Sequence, residues 1–231
     1  MNVQELSVEP YTHHKELNPL LWQGDKLHTD IRSKLLEIAD HFVEYLNTPL
    51  KIKDITFSGS NASFGYSEYS DIDLHIVAEV TPEQEELFSA KKNQYNSTYD
   101  IKVKGVPVEL YVQPAGQLHH SAGIYSVMHN KWLSKPSNHA PKASPKEVKS
   151  KARNYAGKIN HALRSNDLDL ARDTMDELRR LRKAGLEEGG EHSVENLAFK
   201  LLRSRGQIEK LRKYIDKLIS AKLSLGEQNE N

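Results

Sequence analysis

The sequence predicts an α+β protein: a mixed β-sheet flanked by helices, followed by a C-terminal α-helical bundle. Three observations carry this expectation. Between residues 52 and 112, runs with strand-like alternation are interleaved with a helical run. Residues 134–146, SKPSNHAPKASPK, hold three prolines among small polar residues, the composition of a linker or an ordered surface loop. Beyond them the apolar residues recur only at helical spacing. A boundary there gives a mixed domain over 1–140 and a basic α-helical domain over 141–231.

The first helix is expected from Thr29, as N-cap, to about Leu46, because Ile31, Leu35, Ile38, Phe42, Val43 and Leu46 fall on one face. Asn47, Thr48 and Pro49 end it. IKDITFSG (52–59) reads as a strand running into a glycine, and DIDLHIV (71–77) as a second strand, with a turn or short helix between. Thr81 and Pro82 open PEQEELFSAKKNQY, acidic at its start and basic near its end, as the helix dipole prefers. DIKVKGVPVELYV (100–112) reads as a hairpin turning at Lys104-Gly105. Helices are then expected over about 145–165, 167–185, 193–204 and 206–223, broken at Gly189-Gly190 and Gly206. Ser193 is the expected N-cap of the third, and the final GEQNEN is expected to fray.

Composition narrows the chemistry. The chain has no cysteine, which excludes disulfides and thiolate metal sites. No uninterrupted apolar stretch approaches the ~18 residues a membrane span needs, and no basic segment followed by an apolar run opens the chain, so the expected location is cytoplasmic. Lys/Arg and Asp/Glu balance at 32 each, but unevenly. Residues 142–222 hold 20 basic against 12 acidic residues, a net of +8, and residues 1–141 hold 12 against 18, a net of −6. A basic helical part suits a polyanionic partner, and equally a solvated helical surface.

The second strand carries the informative pattern. Side chains alternate along a strand, so Asp71, Asp73 and His75 share one face and Ile72, Leu74 and Ile76 the other. Two carboxylates held side by side repel, and a divalent cation is the simplest offset. In GVPVELYVQ, Val106, Val108, Leu110 and Val112 share a face, leaving Glu109 and Tyr111 opposite. If this strand lies beside the Asp71 strand with its apolar face on the same core, Glu109 joins the two aspartates. Oxygen-only ligands favour a hard ion, Mg²⁺ or Mn²⁺. Gly59 and Ser60, separated from Asp71 by ten residues, stand where a strand turns into a short helix, where backbone can approach a phosphate.

A Gly-Ser pair, a ten-residue spacer, an Asp-x-Asp strand and a third acid nearby resemble the signature of the DNA polymerase β-like nucleotidyltransferase superfamily. SDIDLHIV is especially similar to the minimal nucleotidyltransferase group. The segments GVPVELYVQP and GGEHSVENLAFKLLR give the whole chain a looser resemblance to predicted nucleotidyltransferases of large tailed bacteriophages. The resemblance implies a nucleotidyltransferase-type sheet and a catalytic role for residues 1–140. It implies Gly59 and Ser60 at a triphosphate, Asp71 and Asp73 as metal ligands and Glu109 as the third acid. The implied reaction moves a nucleoside monophosphate from an NTP, ATP being favoured, to a hydroxyl, with release of pyrophosphate and help from Mg²⁺ or Mn²⁺.

Other segments point less sharply. In GIYSVMHNKWLSKP (123–136), Tyr125, Lys131, Trp132 and Lys135 combine aromatic faces with cations, which suits base stacking and phosphate contact; the seven-residue spacing of Tyr125 and Trp132 also suits a helix packed on the sheet. Lys131 and Lys135 are therefore candidates for nucleotide contact. His28 and His41 fit no common metal spacing, and His119-His120 reads as a solvated loop. Arg179, Arg180, Arg182, Lys183, Arg203 and Arg205 are candidates for an acceptor or triphosphate clamp, or simply cations at helix ends. The acceptor expected from the basic helical part is RNA, such as a tRNA 3′ end, or a protein. A small-molecule, antibiotic-type nucleotidyltransferase and a non-catalytic nucleotide- or RNA-binding module of the same fold are the alternatives.

Overall fold

The structure, a computed structural model, describes residues 13–117, 121–138 and 143–224. The described residues fall into two compact units, 13–138 and 143–224. His119-His120 and the GEQNEN tail lie outside the described residues, as does the middle of the proline-containing segment.

In the N-terminal unit a short hairpin, β1 (Trp22–Gln23) and β2 (Lys26–Leu27), precedes α1 (Thr29–Leu46). The helix starts one residue earlier than the sequence suggests: His28 is the N-cap, without a side-chain cap bond, and Thr29 is the first helical residue. Asn47 ends the helix in the left-handed conformation that asparagine tolerates. Next come β3 (Lys51–Ser58) and, past a single 3₁₀ turn at Ser60–Ala62, β4 (Ile72–Glu79), so Asp71 sits one residue ahead of the strand and β4 runs two residues beyond its expected end. Helix α2 (Pro82–Thr98) is capped by a reciprocal Thr81–Gln84 box. It extends past Tyr95 and carries no basic residue in its last turn, so Lys91 and Lys92 are mid-helix rather than complements to its C-terminal dipole.

Strands β5 (Lys102–Val103) and β6 (Val106–Pro114) form the expected hairpin, with positive φ at both Lys104 and Gly105. Strands β7 (Ile124–Ser126) and β8 (Lys131–Ser134) form a second hairpin where a packed helix was one expectation for residues 123–136. Asn130, at φ 55°, makes the turn that keeps Tyr125 and Trp132 on paired strands.

The six-stranded sheet has the order β5-β6-β4-β3-β7-β8. It is mixed: β4 runs antiparallel to β3 and parallel to β6. Ile72, Leu74 and Ile76 of β4 are wholly buried, in one core with Ile55 and Phe57 of β3, Leu110 of β6, Phe42 of α1 and Tyr95 of α2. Each such side chain contributes roughly 1.5–3 kcal/mol, and together they fix the register of β4. Because the period is two, that register also decides where Asp73 and His75 point.

Four helices make up the C-terminal unit: α3 (Pro145–Ser165), α4 (Leu168–Gly189), α5 (Val194–Ser204) and α6 (Gln207–Leu223). Ser144, Asp167 and Ser193 occupy the N-caps of the first three, and Gly206, at φ 67°, precedes the last. The unit has its own core, including Val148, Tyr155, Ile159, Leu178, Leu197, Leu202 and Leu211. The protein is thus α+β, a mixed sheet flanked by helices and followed by C-terminal helices. Among the described residues no helix is long and apolar enough to cross a membrane.

Candidate metal centre

Strand pairing brings the three acids together. Asp73 is level with Ser58 of β3 on one side and with Glu109 of β6 on the other. Since β4 and β6 are parallel and in register, Glu109 and Asp73 project from the same sheet face, with the apolar Leu74 and Leu110 beneath. Asp71 enters from the residue before β4. One carboxylate oxygen from each of Asp71, Asp73 and Glu109 lies within 4.8 Å of the others, and all three side chains are half-buried. This all-oxygen donor set fits a hard divalent cation such as Mg²⁺ or Mn²⁺.

Gly59 is required by this geometry. Its φ of 82° and ψ of −166° belong to a region that side chains rarely enter, and a Cβ there would lie 2.0 Å from Asp73 Oδ2. The Asp73 carboxylate therefore rests against the glycine itself. The Gly59 N–H donates to Ser121 Oγ (3.1 Å), which donates to the Gly123 carbonyl (3.0 Å), tying the end of β3 to the start of β7. Ser60 follows, half-buried, as the first residue of the 3₁₀ turn.

Two further residues, not singled out in the sequence, organise the acids. Asn61 is wholly buried; its side chain accepts from Asn18 Nδ2 (2.8 Å) and donates to the carbonyls of Ser70 (3.1 Å) and Asp71 (2.9 Å). It closes the 63–71 loop onto β4 and fixes the Asp71 backbone. Tyr111, two residues along β6 from Glu109 and on the same face, donates its hydroxyl to Glu109 Oε2. Burial first, then the Asp73 and Glu109 carboxylates, push the Tyr111 phenol far above its ordinary value, so it remains a protonated donor. His75, level with Tyr111, stacks on its ring at 4.8 Å and meets Ser58 Oγ through Nε2 at 3.2 Å, so it supports the strand face from within.

The lysines expected to contact nucleotide lie elsewhere on the sheet. Lys131 is exposed on the outermost strand β8, three strands from β4, a separation of about 14 Å at ~4.8 Å per strand. Lys135 follows that strand and pairs with Asp25 at 2.7 Å. Tyr125 is buried, while Trp132 stacks on Trp22 at 4.8 Å and donates to the Asp25 carbonyl, so both aromatics serve packing. Of the other histidines, His28 meets the Pro19 carbonyl and His41 the Tyr95 hydroxyl.

Several basic residues of the C-terminal unit are engaged within it. Arg182 donates to Asn196 Oδ1 and lies over the Phe199 ring, Arg179 pairs with Asp176, and Lys183 reaches Glu187 at 3.9 Å. Arg180, Arg203 and Arg205 are exposed.

No protein-family model matches the chain, and no curated protein matches it. Among solved structures it is similar to spectinomycin adenyltransferase AAD(9) from Enterococcus faecialis, determined with ATP and spectinomycin. That likeness has 12% identity over 86% of this chain and 94% of the other, at a TM-score of 0.26. A similarity of that size carries no argument about activity.

Proposed function

We propose that the protein is a metal-dependent nucleotidyltransferase of the DNA polymerase β-like type, moving a nucleoside monophosphate from an NTP, ATP being favoured, to a hydroxyl acceptor. The observation that supports it most is the convergence of Asp71, Asp73 and Glu109 on one sheet face beside Gly59, whose missing Cβ leaves room for Asp73. Asp71, Asp73 and Glu109 would hold Mg²⁺ or Mn²⁺. A bound divalent ion supplies neutralising charge for a triphosphate and lowers the pKa of a hydroxyl placed against it. Gly59 and Ser60 stand where backbone N–H groups and a hydroxyl can meet phosphate oxygens, and the absence of a Cβ at Gly59 keeps Asp73 close to that position. A carboxylate of the same cluster is the group available to receive the acceptor's proton.

The residues 141–231 carry the basic excess, which supports an RNA or protein acceptor. A second reading, a small cationic acceptor, is favoured by a different observation: from Asp54 to Ala90 the chain contains no Lys or Arg, so the loop and strand that build the centre bring only negative charge. The test follows label from each α-³²P-NTP, with Mg²⁺ or Mn²⁺, into RNA, protein and small-molecule pools, beside an Asp71→Ala/Asp73→Ala control. Label entering one pool and lost in the control is the expected result and names the acceptor class. Label that persists in the control overturns the assignment.

A further inference from the structure

Tyr111 stands out because it is held as carefully as the acids themselves. Its ring is stacked on His75 at an interplanar angle of 18°, and the Lys92 ammonium lies 4.5 Å from its centroid. His75 is in turn engaged with Ser58 Oγ. On the outer edge of β6, where β5 no longer pairs, Asn96 of α2 takes the place of a neighbouring strand: it accepts from the Leu110 N–H (3.1 Å) and donates to the Leu110 carbonyl (3.0 Å). Leu110 lies between Glu109 and Tyr111, so that bracket fixes the backbone bearing both side chains. The outcome is a rigid phenol whose hydroxyl points back to Glu109 Oε2.

Glutamate is the longest of the three acids, and ordering such a side chain costs rotamer freedom. Beside Asp71 and Asp73 it would be driven outward by like charge. A neutral donor two residues along the strand counters both effects, because it fixes the carboxylate without bringing a cation to compete with a metal. We infer that Tyr111 is a positioning residue that sets Glu109 in its metal-ligating orientation before any ion binds, making ion affinity depend on the Tyr111 hydroxyl. This rests on the metal-centre reading proposed above. Groups that orient metal ligands typically alter affinity by about 10–100-fold when removed.

The test is direct Mn²⁺ binding to the full chain, followed by electron paramagnetic resonance of the free ion. It compares wild type with Tyr111→Phe, Glu109→Gln, their double variant and Asp71→Asn/Asp73→Asn. Tyr111→Phe keeps the ring, the His75 stack and the Lys92 contact, so thermal unfolding of the metal-free protein should change little while Mn²⁺ affinity falls about tenfold or more. Adding Tyr111→Phe to Glu109→Gln should weaken binding no further, because a hydroxyl acting through Glu109 has nothing left to orient. A merely structural tyrosine would not give that non-additivity. Unchanged Mn²⁺ affinity in Tyr111→Phe, or losses that multiply in the double variant, overturns the inference while leaving the centre intact. Wild type that binds Mn²⁺ no better than Asp71→Asn/Asp73→Asn overturns the metal centre and the role of Tyr111 with it.

Discussion

Replacing Gly59 by alanine should damage fold and site together, and its magnitude can be worked from two sources. A side chain at φ 82°, ψ −166° costs about 1–3 kcal/mol in backbone strain. The added Cβ would also lie 2.0 Å from Asp73 Oδ2 and 3.0 Å from its Cγ, an overlap relieved only if Asp73 turns away, and overpacking of this kind costs typically about 1–3 kcal/mol. Turning Asp73 away relieves the overlap but not the backbone strain, so a loss of about 3 kcal/mol is expected, or roughly 10 °C in melting temperature for a unit of this size. Trp22 and Trp132 are the chain's two tryptophans and stack on each other in the N-terminal unit, so their fluorescence reports that unit's unfolding. Gly105→Ala is the control, with the same φ of 82° but no atom of the described residues within 4 Å of its Cβ; it should lose only about 1–2 kcal/mol. Mn²⁺ binding should drop in Gly59→Ala and persist in Gly105→Ala. A Gly59→Ala protein that melts no lower than Gly105→Ala and binds Mn²⁺ like wild type would refute the close approach of Gly59 and Asp73.

Asn61→Ala strands the Asn18 amide and two loop carbonyls, and should cost about 1–3 kcal/mol in urea unfolding while weakening Mn²⁺ binding; unchanged stability would show that the 63–71 loop is held by other means. Tyr155→Phe should be neutral or stabilising by about 1 kcal/mol, read by circular dichroism, because the buried Tyr155 hydroxyl has no hydrogen-bond partner among the described residues; a clear loss would reveal a partner. Burial pushes both Tyr95 and Tyr155 up to about 12. The folded state keeps these phenols neutral where the unfolded chain ionises near the ordinary value of 10.0, so their contribution is whole below pH 10 and is lost as pH rises through about 12. Melting temperature should therefore fall across that range, and Tyr95→Phe should flatten the decline seen by tryptophan fluorescence; an equal slope in that variant would contradict the shift.

What the sequence makes legible is whatever has a short period or a local cause. The alternation of Asp71, Ile72, Asp73 and Leu74 requires only a period of two and a core on one side, and the 102–112 hairpin announces itself through Lys104-Gly105. Glu109 was placed by the same alternation, but its meeting with Asp73 also needed β6 to lie parallel to β4, a fact of topology. What the sequence does not show is pairing between residues far apart in the chain. Asn61 is bonded to Asn18, Trp132 stacks on Trp22, and Lys135 pairs with Asp25. An asparagine after Gly-Ser looks like any loop asparagine until its buried partner is known. In residues 123–136 the seven-residue spacing of two aromatics was compatible with a helix, and the turn at Asn130 decided for a hairpin.

Three nearby acids on a protein surface are by themselves weak grounds for a metal centre, since solvated carboxylates gather on many surfaces without a ligand. The supporting groups around this cluster are what separate it from such a patch. Asn61 bonds the backbone of Asp71, Gly59 forgoes a side chain where Asp73 lies, and Tyr111 bonds Glu109. Each acid thus has its own restraint from a different element: the 3₁₀ turn, the end of β3 and strand β6. Ordering three like charges opposes both side-chain entropy and Coulomb repulsion, so a structure selected for stability alone would let them spread into solvent. On the function proposed above, a cation held between the three carboxylates offsets that cost. Neutralising Asp71 and Asp73 should therefore leave the metal-free fold as stable as wild type or more so while abolishing ion binding, a combination that a purely structural acidic cluster would not produce.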